Sequence, residues 1–468
     1  MCAKIDMTNR WLLMLLTLSF LISSCSNDED TTPDNDYCYI KSVTLGTVNR
    51  KIDRYDRQGN HIGTVNASFS GSTYAMSVNQ RTGVIENIDS LPFGSQLSAV
   101  LATITFEGSV LNYQNSNGEW IAYNTEDSLD LSKLLQLQLT SNNGASKRAY
   151  SIKINVHQQE GDSLYWKQCE KDVTPLLGMT DMKSFVKDDK LMVLGQKTTG
   201  IVLAERSGIE AEGSWGIEQS TNLPATADLQ TIHQHADKLY ISTTDGDILS
   251  SIDAKSWTQE GNTYSAPLTL IEKSDNYFYA ISGGKLLRSA DAITWEEDKA
   301  NSEAFSDAEY LPDAGIRAMT VVQANGSSRI IMLGQRTGSA NTVVWNKTWN
   351  KGWDVSEADA EWMYFLLSPD NNKLCPRLNY LNLLSYDGKS FAFGGASLDD
   401  THKALDAIYI SQDYGLTWHP DTEYHMPIQL EGIDECITSV VDKNHYIWII
   451  TKAQVWRGRL NRLGFAQQ

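Results

Sequence analysis

The chain has 468 residues, which is long enough for two or three domains. Its 58 acidic and 39 basic residues give a formal net charge of −19, which argues against a nucleic-acid partner because phosphate contacts need clustered Lys and Arg. A hydrophobic content of 41% permits a full core and excludes bulk disorder.

The first 24 residues predict a secretory signal peptide. Arg10 supplies a positive flank, and the apolar run Trp11–Ile22 is too short for a membrane-spanning helix. The run ends in Leu21-Ile22-Ser23-Ser24-Cys25, which resembles a bacterial lipobox. The resemblance implies cleavage before Cys25 and a lipid on that residue, so that the chain would be anchored in a membrane. The alternative is an ordinary signal peptide followed by a chance cysteine.

Residues 25–36 predict a flexible tether, because they are polar and contain one proline. The acidic cluster Ser26–Asp30 resembles the surface-export signal of Bacteroidetes lipoproteins. The resemblance implies a lipid-anchored protein of the outer membrane that is exposed at the cell surface. The alternative is a solvated linker without an export role.

Residues 37–158 predict an antiparallel β-sandwich. Short strands with alternating apolar positions occur at Leu97–Phe106, Leu135–Thr140 and Ala149–Val156, with glycine-containing turns between the strands. The closing hairpin from Asn142 to Ile154 resembles that of immunoglobulin-like domains in Bacteroidetes surface lipoproteins. The domain carries no chemical motif, and a spacer is favoured over a ligand site.

The strongest repeat in the chain is Ser411–Trp418, which reads S-x-D-x-G-x-T-W and has two shorter copies at Ser251–Trp257 and Ser289–Trp295. The pattern is an Asp-box: a short Asp accepts backbone N–H groups in a tight turn, Ser adds a second acceptor, and Trp begins the next strand. A catalytic Asp is needed once, whereas a turn residue recurs, so we interpret the boxes as structural. The box residues are Ser251, Asp253, Trp257, Ser289, Asp291, Trp295, Ser411, Asp413, Gly415 and Trp418.

Residues 162–465 predict a six-bladed β-propeller, and the whole chain is predicted to be all-β. The sixth unit lacks an outer strand, and Leu164–Gln168 is an unassigned strand with a Trp in the matching place. Adding that strand to the sixth unit would close the ring and remove its exposed edges. The blades therefore number six rather than five or seven.

Asp-box propellers resemble sialidases, sortilin-type receptors and photosystem assembly factors. A sialidase would require an Arg triad, a Tyr–Glu pair and an R-I-P segment near the first blade. The sequence has no R-I-P segment, so no catalytic residue is carried over. The layout, with its closing Val455–Phe465, is more similar to uncharacterised Bacteroidetes lipoproteins that join an immunoglobulin-like module to an Asp-box propeller, and this likeness implies no activity.

The candidate ligand face is the one opposite the box turns, because the long insertions lie there. The first and fourth units share a Gln, a basic residue and a Thr at Gln196–Thr198 and Gln335–Thr337. A glycan or protein ligand is predicted, with a glycan-cleaving hydrolase on the same face or a merely solvated rim as alternatives. The candidate residues are Gln196, Lys197, Arg317, Gln335, Arg336, Trp362, Arg377, Asp399 and His402.

No metal site or cofactor is predicted. His233 and His235 could share one face of a strand, but no third ligand lies near them in sequence. The sequence contains no Walker loop, G-x-S-x-G or H-E-x-x-H motif. Cys38, Cys169, Cys375 and Cys436 allow three disulfide pairings, and the spacings choose none. The identity of the ligand and the oligomeric state are also left open.

Overall fold

The computed structural model describes residues 36–55, 60–261, 263–300, 310–323, 325–350, 355–365, 373–421 and 424–462. The chain divides into two compact units, Met1–Gln158 and Gln159–Gln468. The predicted signal peptide, Cys25 and nearly all of the tether lie outside the described residues. Within the described ranges, no helix has both the length and the apolar character needed to cross a membrane.

The first unit contains three sheets among its described residues. The six-stranded sheet has the order β4 (Met76–Asn79), β5 (Val84–Asn87), β12 (Lys147–Lys153), β11 (Leu135–Thr140), β8 (Val110–Gln114) and β9 (Trp120–Ala122). The two three-stranded sheets have the orders β1 (Tyr39–Leu45), β7 (Val100–Glu107), β10 (Ser128–Leu129) and β3 (His61–Ser70), β2 (Thr47–Tyr55), β6 (Ser95–Gln96), and a 3₁₀ turn, η1, covers Gly71–Thr73.

The core of the first unit lies between sheets that alternate buried and exposed positions. Leu135, Leu137 and Leu139 of β11 are buried together with Val100 and Ile104 of β7, as expected for strands with one apolar face. The predicted purely antiparallel arrangement is wrong in one place. Strand β5 pairs with β12 in parallel, with Ile85 opposite Ile152, so the largest sheet is mixed.

The second unit contains six four-stranded sheets among its described residues, and every strand pair in them is antiparallel. In five sheets the strands follow chain order: β14 (Asp181–Lys187), β15 (Lys190–Lys197), β16 (Gly200–Arg206), β17 (Gln219–Ser220); β18 (His233–His235), β19 (Lys238–Ser242), β20 (Ile248–Ser251), β21 (Thr258–Gln259); β22 (Thr269–Lys273), β23 (Phe278–Ser282), β24 (Lys285–Ser289), β25 (Glu296–Glu297); β26 (Ala314–Val322), β27 (Ser327–Gln335), β28 (Val343–Asn350), β29 (Trp362–Tyr364); β30 (Asn382–Tyr386), β31 (Lys389–Phe393), β32 (Tyr409–Ser411), β33 (His419–Pro420).

The sixth sheet joins the two ends of the second unit. Its order is β13 (Ser163–Lys171), β36 (Gln454–Asn461), β35 (Ile447–Ile450) and β34 (Thr438–Val441). The predicted pairing is present: Gln168 lies opposite Trp456, and Trp166 lies opposite Gly458. A Cβ on Gly458 would come within 2.3 Å of the Trp166 ring, so glycine is needed for the indole to lie across the neighbouring strand.

The ring of first strands is formed by the first strand of each of the five sheets in chain order and by β34, the edge strand opposite β13 in the sixth sheet. Contacts run from β14 to β34, β30, β26, β22 and β18 in turn. The 3₁₀ turn η3 (Leu229–Thr231) precedes β18 in the chain and contacts β14, β19, β22 and β26. Two further 3₁₀ turns, η2 and η4, cover Thr174–Leu176 and Ile428–Leu430. The apolar cores lie between adjacent sheets; one of them combines Met182 and Val193 with Trp448 and Ile450.

Three turns between the third and fourth strands of a sheet share one hydrogen-bond pattern. Ser251, Ser289 and Ser411 each donate from Oγ to Oδ1 of the Asp two residues later, at 3.0, 3.0 and 2.8 Å. That Oδ1 then accepts backbone N–H groups across the turn, for example from Thr294 at 2.8 Å and Thr417 at 2.9 Å. These Asp side chains are therefore committed to the backbone of their own turns.

The described residues contain no disulfide bond. Cys38, Cys169, Cys375 and Cys436 are all free thiols. Burial raises the pKa of Cys375 and of Cys436 to about 12, and a thiol that stays protonated is a poor nucleophile and a poor metal ligand.

Candidate functional site

Charged side chains from distant parts of the chain meet inside the ring of first strands. Lys183 on β14 lies within electrostatic range of Asp181, Glu272 on β22 and Arg317 on β26. Lys183 and Arg317 are half-buried, and Glu272 is 7% exposed. Burying charged groups lowers the free energy of unfolding. Such clusters often mark functional sites, so the ring is a candidate location for one.

A cleft of about 490 Å³ opens beside the ring, at the ends of β18, β22 and β26. Its walls include His233, His235, Glu272, Glu357 and Trp349. Two clefts of about 510 Å³ lie elsewhere in the second unit. Neither of them is lined by residues of β18, β22 or β26. The cleft at the ring is therefore the candidate ligand site.

The position of the cleft differs from the predicted ligand face. Asp275, Asn276 and Gly326 belong to the hairpins that follow the first strands of their sheets, and they line the cleft. In an antiparallel four-stranded sheet the first and third turns lie at the same end, so the cleft opens on the side of the box turns. Two of the long insertions on which the prediction rested, 296–315 and 397–405, connect strands at the other end, whereas the connection from β28 to β29, which contains Glu357, lies at the end of the box turns.

Two histidine–carboxylate pairs line the cleft. The Nδ1 atom of His233 lies 3.2 Å from Oε1 of Glu272, and Nε2 of His235 lies 3.4 Å from Oδ1 of Asp275. Burial by itself would raise the pKa of Glu272, but the His233 imidazole beside it holds that pKa below the usual value. Glu272 is thus an ionised acceptor at neutral pH, rather than an acid that could donate a proton.

Glu357 closes the cleft from the connection between β28 and β29. It accepts hydrogen bonds from Asn276 Nδ2 at 2.7 Å, from the Tyr279 hydroxyl at 2.8 Å and from Ser274 Oγ. Burial and the Glu357 charge raise the pKa of Tyr279 above its usual value. The carboxylate therefore ties the β22–β23 hairpin to a loop about 80 residues further along the chain, as its bond to Asn276 spans 81 residues.

At the start of β14, Asp181 interacts with η3. Gln230 donates from Nε2 to Oδ1 of Asp181 at 2.5 Å and to the carbonyl oxygen of Met182 at 3.0 Å. Burial raises the pKa of Asp181 above its usual value. Asp228 accepts the backbone N–H of Gln230 at 3.0 Å and so begins η3, which fixes this turn inside the ring.

Of the predicted ligand residues, Arg317 alone reaches the charged cluster inside the ring. Gln196 donates from Nε2 to the carbonyl oxygen of Lys197 at 2.8 Å, and Lys197 forms an ion pair with Glu218. These two side chains serve the end of β15. The amide of Gln196 and the ammonium of Lys197 thus both interact with neighbouring protein groups.

Three of the predicted ligand residues do lie together, but their side chains donate hydrogen bonds to carbonyl oxygens of neighbouring segments. Gln335 donates from Nε2 to the carbonyl oxygen of Leu378 at 3.0 Å, and Arg336 donates from Nη1 to that of Leu311 at 2.8 Å. Arg377 donates from Nη1 to the carbonyl oxygen of Arg336 at 3.4 Å. The sequence likeness between the first and fourth units therefore reflects loop support at the ends of β15 and β27.

Trp362 must be corrected from a ligand residue to a core residue. It is fully buried in the fourth strand of its sheet, and its Nε1 donates to Oδ2 of Asp298 at 2.9 Å. The same carboxylate oxygen lies 2.9 Å from Nζ of Lys347, and both charged side chains are fully buried. A ligand cannot reach the indole, because its ring completes the packing around this ion pair.

Asp399 and His402 lie on a separate exposed loop. Asp399 accepts hydrogen bonds from Thr401, with Oγ1 at 2.7 Å, and these bonds together with one from Ser397 lower the pKa of Asp399 to about 2. The Nδ1 atom of His402 lies 3.9 Å from Oδ2 of Asp406, and its ring packs edge-to-face against Tyr409. The contacts of both side chains are with their own loop and its neighbours.

Sequence reasoning missed Glu272 and Glu357, because neither belongs to a motif. A partial signal was present at His233 and His235, whose alternation predicted two imidazoles on one strand face, and both do line the cleft. Across the described ranges, no group of three or more His, Cys, Asp or Glu side chains could hold a metal ion.

A family model described as "DUF6242 beta propeller domain" matches residues 160–468. The chain belongs to the DUF6242 family. A second model, described as the DUF6242 N-terminal domain of unknown function, matches residues 43–154. The second unit of this DUF6242 chain is thus a β-propeller domain, and no curated protein sequence matches the chain.

Solved structures of low identity are similar to the DUF6242 chain. The α-L-arabinofuranosidase Arb93A of Fusarium graminearum is 9% identical with a TM-score of 0.38, covering 65% of this chain and 99% of that chain. YCF48 of Cyanidioschyzon merolae is 12% identical with a TM-score of 0.34, covering 63% and 98%. PorZ, a surface component of the type-IX secretion system of Porphyromonas gingivalis, is 10% identical with a TM-score of 0.32, covering 82% and 54%. Likeness at this level carries no argument about a ligand or a reaction.

Proposed function

We propose that this chain is a surface-exposed lipoprotein that acts as a binding or scaffold module for glycan or protein ligands, without catalysis of its own. A lipid on Cys25 anchors it in the outer membrane, and the first unit is an immunoglobulin-like spacer. The six four-stranded sheets of the second unit are the blades of a six-bladed propeller, with β13 as the outer strand of the last blade. The three recurring Ser–Asp turns are its Asp-boxes.

The observation that carries the binding role is the polar cleft beside the ring. Its carboxylates Glu272, Asp275 and Glu357 each have a protein partner already in place. Such groups are held in position to accept hydrogen bonds from a ligand hydroxyl or amide. A hydrolase would instead need a carboxylic acid whose pKa is raised toward neutrality, and the pKa of Glu272 is lowered.

The cleft is tested by screening the purified full-length chain against a glycan array and a peptide array. A ligand that binds in the cleft should bind Glu272→Gln and His235→Ala at least tenfold more weakly than the wild type. Glu297→Gln is the matched control, because Glu297 is exposed on the fourth strand of the same sheet as Glu272. Equal binding by all three variants would remove the cleft as the site.

The anchor is tested separately. Cys25→Ser should move the chain from the membrane fraction to the soluble fraction, and should abolish incorporation of labelled palmitate. Protease added to intact cells should degrade the wild-type chain if it is exposed at the surface. Membrane association of Cys25→Ser with no change in labelling would contradict the lipoprotein proposal.

A glycan-cleaving hydrolase is the second candidate, and Asp181 is the observation that favours it. Its raised pKa is the property that a general acid needs, and it lies at the end of β14 that faces two of the long insertions. The test is a hydrolysis screen on the sugars of the array with wild type and Asp181→Asn. Turnover that Asp181→Asn abolishes would replace the binding proposal, and no turnover by the wild type would dismiss the enzyme.

A further inference from the structure

Lys183 and Arg317 are two cations inside the ring that form no close ion pair with a described residue. They lie within electrostatic range of each other. In the described part of the chain, neither has a carboxylate oxygen within the 4.0 Å that defines an ion pair. The buried Lys347, by contrast, lies 2.9 Å from Asp298. Two like charges brought together in a half-buried place repel each other, and the nearby Asp181 and Asp228 offset part of this repulsion.

Both cations keep free donors. Arg317 donates from Nε to the carbonyl oxygen of Leu381 and from Nη1 to that of Ile316, each at 2.7 Å. The guanidinium has five N–H groups, and the remaining ones have no acceptor among the described residues. The ammonium group of Lys183 makes no hydrogen bond with a described residue. Both side chains retain some solvent exposure, so a small molecule can reach these donors.

The carboxylates nearby do not fill these donors. Asp181 is bonded to Gln230, Asp228 accepts the backbone N–H of Gln230, and Glu272 is paired with His233. They lower the cost of holding Lys183 and Arg317 inside the ring. They leave the N–H groups of both cations open for an external acceptor.

The two cations also stand across the ring from each other. Strand β14 belongs to the first sheet in the order of contacts and β26 to the fourth, and both contact η3. A guanidinium binds the two oxygens of a carboxylate or phosphate in one plane, and an ammonium adds a point charge from another direction. One anionic group between them would receive donors from both sides.

We propose that Lys183 and Arg317 form an anion-binding site inside the ring, which takes one carboxylate or phosphate group of a small ligand. Neither residue lines the cleft of the proposed function, so this site stands apart from that proposal. Burial and the neighbouring Arg317 lower the pKa of Lys183 to about 8, so the site is mostly charged at neutral pH and loses charge in mild alkali.

The test is isothermal titration of the purified full-length chain with inorganic phosphate and, separately, with succinate. The ionic strength is held constant with chloride, so that general screening cannot mimic binding. The wild type should bind at least one of the two anions. Binding of phosphate alone would identify phosphate-bearing ligands, and binding of succinate alone would identify carboxylates.

Lys183→Met decides the outcome, because the Lys183 side chain makes no hydrogen bond with a described residue that the fold would lose. It should raise the dissociation constant at least tenfold, whereas Lys187→Met on the same strand, whose lysine bonds to the carbonyl oxygen of Asp237, should leave it unchanged. Arg317→Gln should weaken binding as well, although it also removes bonds to Leu381 and Ile316. The proposal is overturned if neither anion binds the wild type, or if Lys183→Met binds as tightly as the wild type.

Discussion

The box turns and the ring of first strands use acidic residues in opposite ways. In the turns, Asp253, Asp291 and Asp413 repeat one set of bonds to Ser and to backbone N–H groups within a few residues. In the ring, Asp181 and Glu272 occur once each and interact with side chains from other elements. Repeated groups serve the repeated fold. Acidic groups that occur once, and whose burial lowers the free energy of unfolding, are the better candidates for recognising a ligand.

The largest expected effect on stability comes from a mutation in one of the box turns. Trp418 is 2% exposed and its Nε1 donates to the carbonyl oxygen of Gly415 at 2.9 Å. Trp418→Ala should lower the free energy of unfolding by about 3–5 kcal/mol, as for other large-to-small core changes. Leu416→Ala in the same turn, where Leu416 is 43% exposed, should cost far less in urea unfolding. Equal costs would show that the turn does not depend on its indole.

The next effect lies in the ring and depends on pH. The pKa of Lys183 is about 8 in the fold and about 10.4 when unfolded. Below pH 8 the fold carries the full cost of the buried charge, and that cost disappears as pH rises to about 10.4. Lys183→Met should therefore be more stable than the wild type at pH 7 by roughly 1–3 kcal/mol, and the difference should shrink by pH 10. A difference that stays constant in urea unfolding across this range would contradict the argument.

A smaller effect is expected from the carboxylate of a box turn. Asp413→Ala removes bonds from Thr417 and Ser411 and should cost about 1–2 kcal/mol at pH 7. Burial would raise the pKa of Asp413, but the Thr417 bonds hold it below its usual value. The wild type should therefore lose its advantage over the variant as pH falls below about 4. Thermal or urea unfolding at pH 7 and pH 3 measures this, and an advantage that persists unchanged at pH 3 would count against it.

The smallest effect is expected on the exposed loop. His402→Ala should change the free energy of unfolding by less than about 0.5 kcal/mol, since surface contacts of this kind contribute little. It should also leave ligand binding in the cleft unchanged, because the loop does not line the cleft. Loss of binding in this variant would restore the predicted loop-rich face as the ligand site.

Local patterns made much of the strand arrangement predictable. Alternation placed Leu135–Thr140 as a strand with the bounds that the structure has, and the missing outer strand led to the pairing of β13 with β36. The parallel pairing of β5 with β12 was not predictable, because a four-residue strand carries no signal about the direction of its neighbour. Trp362 was misassigned because a Trp in a long insertion has the same sequence signature whether it is buried or exposed.

The candidate site could be predicted only in fragments. Arg317 and the pair His233 and His235 were singled out, each from a local feature. Glu357 reaches the cleft through bonds that span about 80 residues, and no local pattern encodes such a distance. Sites assembled from single residues of several sheets follow from the arrangement of the sheets, so they become visible only once the fold is known.

The sheet that contains β13 and β36 also constrains the order of folding during synthesis. Gln168 and Gln454, whose side chains bond at 2.8 Å, are 286 residues apart. A ribosome therefore releases β13 long before β36 exists, and the early strand must wait with its edge uncovered. Translation that stops before Gln454 would leave β13 without its neighbour, so a prematurely ended chain should be a target for chaperones and proteases rather than a smaller working protein.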